Sequence, residues 1–381
     1  MLLTKEQVVD LKKLVKKYQP NCLVNDRIGF EQGDYFQMGD NAVPPLVYDW
    51  KVWESPATLN DTWGFKKDDH NWKNPNDLIY RLADIVSKGG NYLLNIGPDG
   101  QGAIPVECQQ ILKTMGKWLS VNGEAIYGTQ KSPIYMPTTS WKCTVKPGKM
   151  YIHVFHTLNG EIRIQGLESK ITKAALLKNG KTIACKQQAN EVTLTIEKSQ
   201  LDEFNTVVVL DIADQVPVIA AGFRYKDVQK DYSLNGVDCR ITGHEMRILK
   251  EDFAMTGFCK ATSFPYNELW WYHYPYKAGK HKVSVEYACD DAMAGSPFAV
   301  VKDYDSSTAD YDPFNVMQSA SAVAHEEVEG VIQPTGGKYK VFEVGTISLY
   351  QKNLNKITFK LKKDFKSSGI RFKKVILSPI E

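Results

Sequence analysis

The chain has 381 residues, 43% hydrophobic and 24% charged, the balance of a folded globular protein and not of a disordered one. Lys+Arg 47 against Asp+Glu 44 leaves a formal net charge of +3, which argues against a dedicated nucleic-acid binder, and no apolar run approaches the length of a membrane span. The length predicts two or three domains. The seven cysteines are dispersed, odd in number and without a CxxC pair, which argues against a zinc site or a dense disulfide scaffold; most read as small buried hydrophobes. At 11% the aromatic content is slightly rich, as expected where flat faces meet sugars or pack sandwich cores.

Met1-Leu2-Leu3 runs straight into Thr4-Lys5-Glu6-Gln7, without the charged, apolar and small-residue succession of a secretory signal. Thr4 and Gln7 form a capping-box pattern, and Val8, Leu11, Leu14, Val15 and Tyr18 recur at helical spacing until Pro20. Cys22-Leu23-Val24 reads as a short strand ending in Asn25-Asp26-Arg27, and Asn91 to Ile96 as another ending at Gly97-Pro98. Between them Leu78, Ile79, Leu82, Ile85 and Val86 make one helix face, stopped by Gly89-Gly90. A further helix follows Pro105, with Ile111, Leu112, Met115, Trp118 and Leu119 as its apolar face. Strands alternating with amphipathic helices predict parallel βα units over 1–128. There is room for three or four of them, whereas a closed (β/α)₈ barrel needs eight and roughly 250 residues. The expected fold class here is α/β: a partial, TIM-like barrel.

From 129 to 214 the period becomes two, in runs such as Met150–Phe155, Val192–Ile196 and Thr206–Leu210 separated by Asn159-Gly160 and Asn179-Gly180, which predicts a small antiparallel β-sandwich. Ile212 to Pro217 reads as a linker. From 215 to 381 a second all-β unit, with strands at His281–Tyr287, Ser296–Val300, Phe342–Leu349, Lys356–Leu361 and Phe372–Leu377, fits a jelly-roll-like sandwich.

Chemistry belongs where strands end and loops begin. The loop after Val24 carries Asp26, Arg27, Glu31, Asp34, Asp40 and Asp49, then Trp53-Glu54 and Asn60-Asp61-Thr62-Trp63-Gly64-Phe65. Carboxylates, an arginine and aromatics at one strand end suit a glycosidase, which needs two carboxylates across a sugar ring and an aromatic wall against its apolar face. Any one of these acids is also explained as a solvated loop residue. No HExxH or clustered His/Cys spacing implies a catalytic metal, and no cofactor is expected.

These segments resemble a known family. Asn25-Asp26-Arg27, Gly33-Asp34-Tyr35, Trp53-Glu54, Asn60–Phe65, the run Asp84–Pro98 (DIVSKGGNYLLNIGP) and Trp118–Gly128 (WLSVNGEAIYG) are similar to the second half of the catalytic barrel of retaining α-L-fucosidases, glycoside hydrolase family 29. The motifs cover residues 1 to about 130, and a small sandwich is that family's usual appendage. The resemblance implies removal of terminal α-L-fucose from a glycan or glycoconjugate by double displacement through a covalent fucosyl-aspartyl intermediate.

In that family the nucleophilic Asp ends the fourth barrel strand. The helix Thr4–Tyr18 looks like the one that follows it, so the nucleophile is expected upstream of Met1, along with the histidines of the earlier strands. No residue here matches them, and the chain by itself is expected to have little or no activity; the alternative is a non-catalytic carbohydrate-binding or structural remnant.

Arg27 matches the family's arginine near nucleophile and sugar, with a structural ion pair as its other reading. Trp63 matches the aromatic against which the fucose methyl face packs, with core packing as its other reading. The general acid/base shifts position within the family: Asp40 is the first candidate, ahead of Glu54, which could instead orient another group, and Asp34 and Glu31 trail. His70 and Trp72 either line the leaving-group side or cover the next helix, the latter being favoured, and His153 and His156 on a sandwich strand are not expected to be catalytic. Trp270–Tyr276 and Tyr287 to Phe298 resemble jelly-roll modules of bacterial glycosidases, for sugar stacking or for core packing. The oligomeric state stays open, and the architecture leans towards an exported, secreted or periplasmic protein.

Overall fold

The computed structural model describes residues 3–38, 40, 41, 43, 52–134, 140–155, 157, 160–220, 232–235, 240–242, 246–249, 254–257, 268–273, 279–304, 325–349, 355–361 and 370–380. The chain divides into two compact units: Met1–Met136 with Trp141–Phe223, and Pro137–Ser140 with Arg224–Glu381.

The first unit opens on α1 (Lys5–Tyr18), where the expected capping box is formed: Thr4 N–H donates to Gln7 Oε1 at 2.8 Å and Gln7 N–H to Thr4 Oγ1 at 3.4 Å. Then come β1 (Phe36–Gln37), β2 (Trp53–Thr58), α2 (Pro75–Ser87), β3 (Gly90–Asn95) and α3 (Val106–Asn122). The strands make a three-stranded parallel sheet in the order β1-β2-β3, with Trp53 opposite Phe36 and Gly90. Among the described residues this sheet does not close into a barrel.

Two expectations are corrected here. Cys22–Val24 forms no ladder: Asn25 makes a single parallel bridge to Tyr35, and Val24 and Asp34 exchange hydrogen bonds of 2.9 and 2.7 Å. Leu23 is 66% exposed, so this short apolar run finds no surface to bury it. Conversely Trp53–Thr58, read as loop, is the central strand, with Trp53, Ser55, Pro56, Ala57 and Thr58 all buried. Trp53 explains the glycine at Gly90, where a Cβ would overlap the indole ring.

The antiparallel part follows as β4 (Trp141–Lys146), β5 (Lys149–Val154), β6 (Glu161–Gln165), β7 (Ile171–Leu176), β8 (Ala184–Gln188), β9 (Glu191–Thr195) and β10 (Thr206–Ile212). A four-stranded sheet, β4-β5-β10-β7, faces a three-stranded one, β6-β9-β8. Alternation on β5 divides the labour: Met150, Ile152 and Val154 enter the core between these sheets, while Tyr151 points the other way. On that outer face Tyr151 and Val207 pack with Leu78 and Ile79 of α2 and Ile111, Met115 and Trp118 of α3. The helices are therefore a layer shared by parallel and antiparallel sheets.

Charge marks the same junction. Asp84 on α2, 2% exposed, lies 2.9 Å from Lys88 and 2.8 Å from Lys142 on β4, and Lys142 sits over the Tyr80 ring at 5.4 Å. Glu124, from the NGEAIYG segment, accepts from Tyr151 Oη at 2.7 Å and Lys149 Nζ at 3.0 Å. Buried His153 meets Thr144 Oγ1 at 3.1 Å, and burial pushes its pKa down to about 4, a neutral packing residue. His156 lies outside the described residues.

The second unit contains β11 (Tyr232–Asn235), β12 (Arg240–Thr242), β13 (Met246–Leu249), β14 (Ala254–Gly257), β15 (Glu268–His273), β16 (Gly279–Cys289), β17 (Pro297–Tyr304), β18 (Glu326–Val331), β19 (Lys340–Leu349), β20 (Asn355–Leu361) and β21 (Ile370–Pro379). They form antiparallel sheets of six and five strands around one core. Trp271, Tyr287 and Phe298 are buried in it, so these aromatics pack the core; Tyr274–Tyr276 lie outside the described residues.

Removing the carboxylate from the junction tests how much it holds. Asp84→Ala removes a carboxylate that two buried lysines contact and should cost about 3–5 kcal/mol, the usual range for breaking a buried pair. Urea unfolding of the first unit reads this directly, and a loss under about 1 kcal/mol would show that water reaches the lysines.

Candidate active site

Arg27 sits in a single turn of 3₁₀ helix, Asp26–Ile28, capped by Asn25, whose Oδ1 accepts from Arg27 N–H at 2.8 Å. Asp26 Oδ1 accepts from Gln37 N–H at 3.0 Å, tying this turn to β1. The guanidinium then reaches Asp40, with Arg27 Nη2 at 2.7 Å from Asp40 Oδ1. Both side chains are about half exposed, so the pair organises the rim more than it stabilises the fold.

Glu54, in the second position of β2, accepts from Asn25 Nδ2 at 3.4 Å. Burial pushes its carboxyl above the usual carboxylate range, Arg27 opposes this and Asp26 adds to it. Arg27 thus acts on two carboxylates, one by direct contact and one through space. The structure brings Arg27 to Asp40 and within electrostatic reach of Glu54.

Trp63 is placed separately. Its carbonyl accepts from Asn95 Nδ2 at 2.6 Å at the end of β3, and its side chain is 39% exposed, beside Phe65 at 51%. Gly97 makes room for this turn: a Cβ there would lie 3.0 Å from the Gly64 carbonyl carbon. The aromatic rim is therefore pinned by its backbone to the strand next to the one that carries Glu54, and the ring is not absorbed into the core.

The trailing acids have other work. Asp34 is held by Lys12 and Lys16 of α1, each at 2.7 Å, and hydrogen bonds from these two lysines keep its carboxyl well below the usual range. Glu31 is exposed in a turn with φ +58°. Asp49 lies outside the described residues. His70 is exposed, whereas Trp72 packs against the helix core, as a residue covering α2 should.

Several residues at this end of the sheet were not singled out from sequence. Lys73 Nζ donates to Asn41 Oδ1 at 2.8 Å, Thr58 O at 2.7 Å and Thr58 Oγ1 at 3.0 Å. Burial, and then the charge of Arg81, push its pKa down to about 8. Arg81 Nη1 donates to Asn41 O at 2.6 Å. The only sequence signal was a lysine just ahead of the Asn74-Pro75 helix start, which is also where a solvated lysine would be expected. Among the described residues no group of three or more His, Cys, Asp or Glu side chains is placed to hold a metal ion.

Residues 3–124 match the family model described as Alpha-L-fucosidase. The chain is 31% identical over 219 residues to an alpha-L-fucosidase of Dictyostelium discoideum, covering 54% of this chain and 46% of that protein. It is 36% identical over 159 residues to the tissue alpha-L-fucosidase of Homo sapiens, covering 39% and 34% respectively. Alpha-L-fucosidase isoenzyme 1 from Paenibacillus thiaminolyticus superposes with a TM-score of 0.52 at 30% identity, over 56% of this chain and 55% of that one. An alpha-L-fucosidase from Vibrio sp. strain EJY3 covers 98% of this chain and 64% of its own, with a TM-score of 0.57; at 20% identity it speaks to the fold alone. The chain spans about half the length, or less, of these curated relatives. Residues 3–124, in which Arg27, Asp40, Glu54 and Trp63 all fall, are similar to the alpha-L-fucosidase family.

Proposed function

We propose that residues 3–124 form one side of an α-L-fucose pocket in a retaining glycosidase, acting on fucosylated glycans or glycoconjugates. The observation that carries this reading is that Arg27 serves two carboxylates, lying 2.7 Å from Asp40 and bearing electrostatically on Glu54. In this reading residues 1–128 are the C-terminal half of a (β/α)₈ catalytic domain, 129–214 a small antiparallel β-sandwich and 215–381 a jelly-roll-like domain.

The roles follow from the local chemistry. A general acid must carry its proton until the glycosidic oxygen takes it. Half-buried Glu54, raised by desolvation, suits that role better than Asp40, which is engaged by Arg27. Asp40 remains the alternative acid/base, and otherwise keeps Arg27 aimed at the sugar. The exposed face of Trp63 packs the apolar side of fucose.

Double displacement also needs a carboxylate that attacks the anomeric carbon, and no residue of this chain matches the family's nucleophile. Protonation of the leaving oxygen without that attack does not cleave the bond. The 381-residue polypeptide by itself therefore releases little or no phenol from an aryl α-L-fucoside.

Robust turnover by the purified chain alone would refute this. Joined to, or mixed with, a polypeptide that supplies the first half of a family barrel, the chain should hydrolyse the substrate. Failure with an intact upstream Asp would instead favour a carbohydrate-binding or structural remnant. In the completed enzyme Glu54→Gln should lower kcat about 10²–10⁴-fold, the span of general acid–base catalysis, and Asp40→Asn much less; the reverse order would move the acid role to Asp40.

Glu54 also leaves a signature in stability. Its folded pKa lies above the ordinary 4.5, so the folded state holds a proton that the unfolded state has released, and stability falls as pH rises through that window. Glu54→Gln should therefore stabilise the chain at about pH 7 relative to its effect near pH 4. Urea titrations at the two pH values measure the difference, and equal effects would mean that Glu54 is fully solvated.

A further inference from the structure

Along β1 and β2 the rungs of the parallel ladder come from alternate residues. Phe36 N–H donates to Val52 O at 2.8 Å and Met38 N–H to Glu54 O at 2.9 Å. The next rung, Pro56 O, should take residue 40. It takes Asn41 N–H instead, at 2.8 Å. One extra residue is accommodated at this point, and Asp40 is left outside the ladder.

Asn41 is the residue on which this offset closes. Its φ is +57°, a left-handed conformation that asparagine tolerates better than most residues. Its Oδ1 accepts from Thr58 N–H at 3.3 Å and from Lys73 Nζ at 2.8 Å, and its carbonyl accepts from Arg81 Nη1 at 2.6 Å. Lys73 presents three donors to three acceptors: Asn41 Oδ1, Thr58 O and Thr58 Oγ1. Bringing a largely buried ammonium near a guanidinium is a costly way to hold a loop, and each cation donates one hydrogen bond to Asn41.

We propose that Lys73 and Arg81 are positioning residues for the active site: by clamping Asn41 they hold the extra residue, Asp40, out of the ladder and against Arg27. This deepens the fucosidase reading, on which its purpose rests, and commits α2 and the turn before it to the geometry of a carboxylate that neither cation touches.

The test needs no catalysis. In the full chain, NMR reads amide exchange at Asn41 and Thr58 and the guanidinium nitrogen signals of Arg27. Lys73→Met should speed exchange at both amides about tenfold, as expected for losing a charged donor's hydrogen bond, with Ile152 and Val208 unchanged. It should also shift the Arg27 signals to those of Asp40→Asn, while Asn41→Asp, which keeps the acceptor, retains the native signals.

If Arg27 keeps its native signals while the two amides open, the clamp sets only strand register and the proposal is overturned. Should Lys73→Met fail to fold, Arg81→Met, which deletes the donor to the Asn41 carbonyl, is read in the same way. A chain inactive in every context can still pass this test, and an active one can fail it, so the result is separable from the question of hydrolysis.

Discussion

Three parallel strands make a poor structure in isolation, because a parallel sheet is ordinarily covered on both faces. Here Leu94 on β3 packs towards the helices while Leu93, its neighbour on the opposite face, is 48% exposed. What makes the arrangement tenable is that α2 and α3 are buried twice, once by the strands and once by the outer face of the β4-β5-β10-β7 sheet through Tyr151 and Val207. Every site residue inherits its position from this shared layer. Lys73 and Arg81 belong to α2 or its approach, Glu54 to β2, and Trp63 to the segment between β2 and α2 that is bonded to the end of β3.

The same dependence explains which parts of the family-like motifs are structural. Asp84 and Lys88 form the buried ion group with Lys142, Gly90 leaves space for Trp53, and Glu124 docks on Tyr151. The long DIVSKGGNYLLNIGP run and the NGEAIYG segment are thus largely the means by which an α/β segment attaches to a β-sandwich. The chemistry proposed above falls to a much thinner set of residues near the strand ends.

How legible these features were in the sequence depends on how much of the information was local. The helices and β3 could be read because capping residues and apolar period lie within one segment. Trp53–Thr58 could not, since Glu54, Ser55 and Pro56 break every local strand signal; it is a strand because Phe36 and Gly90 flank it in space. Strands Trp141–Lys146 and Ala184–Gln188 escaped for opposite reasons: Lys142 is buried by a partner on another element, and the second strand is largely exposed and polar. Arg27, Glu54 and Trp63 could be chosen from their motifs, but the Arg27–Asp40 contact and the Lys73–Asn41 clamp come from loop geometry, which residue types do not encode.

The two acids differ in a way that bears on how such a site can tolerate them. Asp40 is exposed enough for water to screen it and is paired with a guanidinium. Glu54 is placed where desolvation resists ionisation and where the nearby Asp26 adds to that resistance. Arg27 contacts the exposed acid and only partly offsets the desolvation penalty on the other. Desolvation therefore favours a proton held on Glu54, the state that the proposed general acid would need. In the proposed arrangement distance matters: if Asp40 were drawn back into the ladder, Arg27, which already opposes the rise on Glu54, would be released towards it, and the proton there would be held less firmly.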